Sequence, residues 1–163
     1  MSQDFQAPTG TRIGHVHLKV SNLERSIQFY RDVLGFQVQQ RAGDQAAFLG
    51  ADGYHHHIGL NPWQSAGQPQ APKHAPGLYH TAILYPDRAA LAQAVARVVA
   101  SGVVISGASD HGVSEAVYFD DPDGNGVELY RDRDPKDWPR NQDGKLAMGL
   151  TRLDVDALLA EAQ

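Results

Sequence analysis

Apolar and polar positions along the chain fall into two rhythms, one of period two and one near 3.6, and their order repeats. Residues 13–20 (IGHVHLKV) alternate and predict a strand with His15 and His17 on one face. Ser21-Asn22-Leu23-Glu24 then offers a capping box, with Ser21 as N-cap and Glu24 three residues on. Leu23, Ile27, Tyr30 and Leu34 follow at helical spacing, and Gly35 sits where a glycine ends a helix. Residues 36–40 and 45–49 predict two strands separated by Ala42-Gly43-Asp44. Residues 54–60 (YHHHIGL) predict a fourth, bounded by Asp52-Gly53 and Asn61-Pro62.

Residues 64–77 (QSAGQPQAPKHAPG) have the composition of a linker. Beyond them the pattern starts again. Residues 78–85 (LYHTAILY) predict a strand, Pro86-Asp87 opens a helix carrying Leu91, Val95, Val98 and Val99, and Gly102 ends it. Residues 103–106 predict a strand and 107–112 a loop. Two more strands flank the turn Asp-Pro-Asp-Gly-Asn-Gly at 121–126, where Pro122 presets one dihedral and Gly124 is free to take positive φ. Alternation after that turn puts Val127 and Leu129 on one face, Glu128 and Tyr130 on the other. The charge run at 131–137 reads as a solvated turn, and 147–162 as an amphipathic tail ending in a helix with Val155, Leu158 and Leu159.

Both halves read strand, helix, strand, strand, strand, which predicts an α+β fold of two paired βαβββ modules. Module one spans 12–63, the linker 64–77 and module two 78–133. The tail, 134–163, packs on them, and all four parts form one domain. His15 and His80 occupy matching places in the two first strands, and Glu128 lies in the last strand of the second module.

Composition narrows the chemistry. The 163 residues include no cysteine, which excludes disulfides, thiolate metal sites and a Cys nucleophile, so a metal must sit on His, Asp or Glu. A net charge of −5 argues against nucleic-acid and anionic-membrane surfaces. No signal pattern or spanning apolar stretch is visible, so a cytoplasmic protein is expected. Glu128, a carboxylate between apolar neighbours, needs a partner: solvent, an arginine or a metal ion. Two imidazoles and a carboxylate on one face of an iron(II) ion, with the opposite face open, suit oxygen chemistry. His15, His80 and Glu128 meet that residue requirement, although His17 shares a face with His15. Of the consecutive His55, His56 and His57, at most two can share a strand face.

GHVHLKVSNLERSIQFYRDVLGF, GLYHTAILYP and SDHGVSEAVYFDDPDGNGVELYRDR resemble the vicinal oxygen chelate superfamily of glyoxalases, bleomycin- and fosfomycin-resistance proteins and extradiol dioxygenases. The resemblance spans 13 to about 160 and is nearest to the amino-terminal half of bacterial catechol 2,3-dioxygenases. It implies a cupped mixed sheet around a divalent metal held by His15, His80 and Glu128. It places an acid–base histidine at His57, and at His111 and Tyr118 the residues that hydrogen-bond substrate and oxygen. The position where glyoxalases carry a fourth ligand matches Gly59. Ring-cleaving enzymes of this type carry two such paired domains, whereas this chain carries one.

The resemblance implies iron(II), with manganese, nickel or zinc as alternatives, a small aromatic substrate with O₂, and a homodimer. An extradiol ring-cleaving dioxygenase acting on a catechol-like aromatic is the expected function. The alternatives are a glyoxalase-like isomerase, a thiol transferase acting on an antibiotic, and a metal-free drug-binding protein of the same fold.

Overall fold

The computed structural model describes residues 5–162; the first four residues of the expected N-terminal tail, and Gln163, lie outside them. Among the described residues, fourteen short elements build an α+β fold with two mixed sheets. The first sheet holds β1 (Val16–Lys19), β2 (Gln37–Ala42), β3 (Ala46–Gly50) and β4 (Ile58–Asn61) in the order β1-β4-β3-β2. The second holds β5 (His80–Tyr85), β6 (Gly107–Asp110), β7 (Ser114–Asp120), β8 (Gly126–Asp132) and β9 (Thr151–Arg152), ordered β5-β8-β7-β6-β9. In each sheet the first strand pairs in parallel with the last of its βαβββ run: β1 with β4, and β5 with β8. Helix α1 (Leu23–Gln28), extended by a π-helical turn at Phe29–Val33, packs on β3 and β4. Helix α2 (Arg88–Ala100) packs on β5 and β8, and α3 (Val155–Leu159) packs on α2.

The alternation read from the sequence explains the burial. Val127 and Leu129 are buried with Val117 and Phe119 on the helix side of the second sheet, joined in one core with Leu18, Leu49, Ile58, Leu60, Leu91 and Val95. Each sheet thus presents one face to the helices; on the other face of the second sheet His80, Tyr118 and Tyr130 stay partly exposed, while Ala116 and Glu128 are buried. β1 and β5 stand at the sheet edges.

Several elements differ from expectation. Helix α1 is capped by Asn22, whose side chain accepts the Arg25 N–H, because Ser21 is drawn away to Asp123. Glu24 pairs with Arg41 instead of closing a capping box. The first strand begins at Val16, leaving His15 just before it, and the fifth begins at His80. The expected strand 54–60 is shorter and later, Ile58–Asn61: parallel pairing with β1 starts at Val16↔Ile58, and His55, His56 and His57 lie in the bend before it. No strand forms at 103–106. The strand is β6, in the expected loop, because the hairpin register Gly107↔Tyr118 to Asp110↔Glu115 outweighs the residue preferences.

The expected solvated turn at 131–137 is also corrected. Arg131 and Arg133 both bind the buried carboxylate of Glu115, at 2.7 and 3.2 Å, together with Arg88 at 2.9 Å. A buried carboxylate requires such partners.

The turn at 121–126 does more than reverse the chain. Asp121 accepts the N–H groups of Asp123 and Asn125 (both 2.9 Å) and, across to α1's π turn, the Tyr30 hydroxyl at 3.0 Å. Asp123 accepts from the Ser21 hydroxyl (2.5 Å), the Ser26 hydroxyl (3.2 Å) and Arg25 (2.6 Å). Gly124, at φ +77, permits the turn. One signature therefore sets the β7–β8 register and ties the second sheet to the first helix.

Candidate active site

On the open face of the second sheet, register decides who meets whom. β5 and β8 are parallel with His80↔Gly126 and Ala82↔Glu128 as partners, so His80 and Glu128 are diagonal neighbours on one face. His80 Nε2 lies 2.8 Å from Glu128 Oε2, with side chains 31% and 12% exposed. In the antiparallel β7–β8 pair, Tyr118 stands opposite Glu128 and its hydroxyl lies 3.3 Å from Oε1. His111, in the turn between β6 and β7, places Nε2 2.9 Å from that hydroxyl and Nδ1 3.2 Å from the Gly149 carbonyl.

Glu128, Tyr118 and His111 thus form one hydrogen-bonded series, with His80 in contact with the Glu128 carboxylate at its end. Because a carbonyl only accepts, His111 Nδ1 carries a proton. Neutral His111 then accepts the Tyr118 hydroxyl at Nε2. A doubly protonated ring donates to that hydroxyl, which in turn donates to Glu128. Burial first, then the charge of Glu128 and its hydrogen bond, push the Tyr118 phenol up to about 12. Tyr118 therefore remains a neutral donor at physiological pH.

A cavity of about 450 Å³ has His80, Tyr118 and Asn125 in its wall and is closed on one side by linker residues from Gln70 to Gly77. Gln70 holds the linker through the Gly124 carbonyl (3.0 Å) and Lys73 through Asp120 (3.1 Å). A larger cavity, about 650 Å³, lies between Phe36 and Ile83–Pro86 and contains none of the candidate residues.

The open face of the first sheet carries the other candidates. His15 is exposed, its ring 4.5 Å from that of His56. His17 Nε2 is 2.8 Å from the Asn61 side-chain nitrogen, so Nε2 accepts and Nδ1 carries the proton. The His17 ring covers Gly59, where a Cβ would stand 2.8 Å from His17 Nδ1. His57 is turned elsewhere: its Nδ1 accepts the Ala51 N–H at 3.2 Å and its ring packs 4.6 Å from that of Tyr54. A neutral His57 therefore carries its proton on Nε2.

Among the described residues, no group of three or more His, Asp or Glu side chains is placed to hold a metal ion. The chain brings His80 and Glu128 together, an imidazole and a carboxylate that suit a borderline divalent ion. It leaves His15 on the other sheet. The sequence reading missed Asp121 and Asp123 as ties between sheet and helix. Their signal was available in the dense acidic turn, but their partners Tyr30, Ser21 and Arg25 are about 100 residues away in sequence.

A family model, Glyoxalase/Bleomycin resistance protein/Dioxygenase superfamily, matches residues 12–129. The chain belongs to this superfamily. It is 46% identical over 153 residues to a catechol-2,3-dioxygenase of Bacillus subtilis (strain 168), covering 93% of this chain and 52% of that protein. It is 33% identical over 121 residues to biphenyl-2,3-diol 1,2-dioxygenase 3 of Rhodococcus globerulus, covering 74% and 63%. The chain thus spans about half to under two-thirds of the length of these superfamily relatives. Among solved superfamily folds, a glyoxalase/dioxygenase from Nostoc punctiforme aligns at TM-score 0.64 and 22% identity, covering 82% of this chain and all of that one. A lactoylglutathione lyase from Agrobacterium tumefaciens aligns at 0.59 and 23%, covering 76% and 96%. At these identities the structural likeness establishes the fold.

In all the described residues, no helix is long and apolar enough to cross a membrane.

Proposed function

We propose that the chain is an iron(II)-dependent extradiol dioxygenase acting on a catechol-like diol, with two βαβββ modules at 12–63 and 78–133. It works as a homodimer in which His80 and Glu128 of one copy and His15 of the other hold the ion. The observation that carries this reading is the series His80–Glu128–Tyr118–His111 on one open sheet face. Two donors lie in contact, and a neutral phenol held by an imidazole stands beside them. The two dioxygenase relatives support it. What supports the shared centre is that, among the described residues, His15 forms no metal-holding group with His80 and Glu128 in a single copy.

Iron(II), when bound, supplies a centre at which both oxygens of a diol and O₂ meet. The chain's residues do the rest. His80 would offer Nε2, the nitrogen 2.8 Å from Glu128, with the ring proton on Nδ1. With His111 doubly protonated and donating to it, the Tyr118 hydroxyl donates its one proton into the site. The linker over His80 and Tyr118 limits access of water.

A four-donor isomerase centre would require a ligand at position 59, where the His17 ring already fills the space. The deciding experiment is anaerobic reconstitution with iron(II), then catechol and air, watching for a yellow ring-cleavage product, with His80→Ala and Glu128→Gln as controls. Product abolished by both substitutions is expected. A bound ion with no product would favour the transferase or isomerase, and no bound ion the binding protein. Sedimentation showing only monomer would reject the shared centre.

A further inference from the structure

The bend before β4 holds two imidazoles that the dioxygenase reading does not use. Asp52 and Gly53, at φ +52 and +69, turn the chain into this bend. His55 and His56 follow one another in it, yet their rings converge and bring the two Nδ1 atoms within 2.8 Å. Among the described residues this is the one hydrogen bond that either ring makes. Two Nδ1 atoms in contact share at most one proton, so at least one lone pair is aimed at its neighbour. Aromatic neighbours hold both rings from outside. Tyr54 lies against His55 (centroids 4.1 Å apart), and Phe48 lies edge-on to His56 (5.1 Å). His55 is exposed, so an ion in solution reaches the pair.

We propose that His55 and His56 form a second metal site, separate from the iron centre, that takes a divalent ion of tetragonal preference, copper(II) before nickel(II). An ion about 2.05 Å from both nitrogens would see them about 86° apart. That is close to the right angle between neighbouring ligands in tetragonal coordination. A tetrahedral ion such as zinc needs its nitrogens about 3.3 Å apart. Affinity for imidazole donors peaks at copper. Binding displaces the shared proton, and with two donors from the chain, water fills the remaining positions. The ion then ties down a segment that has no regular structure between β3 and β4, and stabilises the fold by mass action.

The test uses copper(II) chloride and the iron-free chain carrying His80→Ala and Glu128→Gln. Two of the three donors of the proposed iron centre are then gone, so the result is independent of the dioxygenase reading. Calorimetry is expected to find one copper per chain, and electron paramagnetic resonance a tetragonal signal split by two nitrogens. Adding His55→Ala or His56→Ala should each weaken binding by more than about tenfold. His74→Ala, which removes an exposed histidine of the linker, should leave it unchanged. Copper should also raise Tm in the parent chain and in neither of the two weakened variants. Copper bound equally well without His55 or without His56, a signal split by a single nitrogen, or no binding would overturn the proposal.

Discussion

His80 Nε2 and Glu128 Oε2 lie 2.8 Å apart because β5 and β8 run in parallel and Ala82, not His80, is the register partner of Glu128. In the proposed centre both side chains hold one ion. Glu128→Gln is expected to weaken iron(II) binding by more than the roughly 10–100-fold typical of an outer-shell partner. Chelator competition on the reconstituted protein measures it. Affinity unchanged in the variant would remove Glu128 from the centre.

Tyr118 stands between that pair and His111, with its phenol pushed up to about 12 chiefly by burial. Tyr118→Phe removes one preorganised donor and should lower kcat about 100-fold, with KM for the diol much less affected. Steady-state kinetics on both proteins decides it. Equal kcat values would reduce Tyr118 to a packing residue.

Tyr85 is also pushed up to about 12, by burial opposed by Arg97. A folded-state pKa raised above the unfolded value of about 10 favours the neutral phenol in the native state. Its contribution, about 3 kcal/mol, is therefore complete below pH 10 and lost as pH rises through 12. Thermal unfolding followed from pH 9 to 12 should show Tm falling less steeply in Tyr85→Phe than in the wild type.

The Tyr30–Asp121 hydrogen bond crosses from the first helix to the β7–β8 turn. Tyr30→Phe keeps the ring in the core and deletes one donor to a buried carboxylate, at a cost of about 1.5–3 kcal/mol. Urea denaturation should show a lower midpoint with an unchanged slope. An unmoved midpoint would mean that the other ties of Asp121 and Asp123 suffice.

Gly59 is required by space, since its φ is not in the left-handed region. Gly59→Ala forces the His17 ring off its Asn61 contact and should cost about 1–3 kcal/mol. His17→Ala in the same chain should recover most of that loss. A double-mutant cycle on unfolding free energies reads the coupling directly, and additive effects would disprove the contact.

The helices and the β7–β8 hairpin were legible because their signals are local. Leu23, Ile27 and Tyr30 share one stripe, Asp87 caps α2 through the Ala90 N–H, and Gly35 and Gly102 take positive φ just past their helices. Burial of Val127 and Leu129 followed from simple alternation. The histidine run was not legible as structure. Whether residues 55–57 are strand depends on where β1 begins to pair with β4, a contact between segments some 40 residues apart. The partners of Arg131 and Arg133 were hidden for the same reason, as Glu115 reaches them only once the hairpin closes.

The sequence by itself determined the repeat, the α+β class and which side chains share a strand face, since periodicity and turn chemistry act over a few residues. The tertiary structure alone decided which of those side chains meet. Strand register joined His80, Glu128, Tyr118 and His111 on one sheet, while packing of each helix on its own sheet left His15 beside the first strand of the other. Burial of apolar surface drives that packing and is indifferent to where the imidazoles end up. For that reason the candidate residues fall into two groups in one chain, and the proposed centre draws its His15 from a second copy.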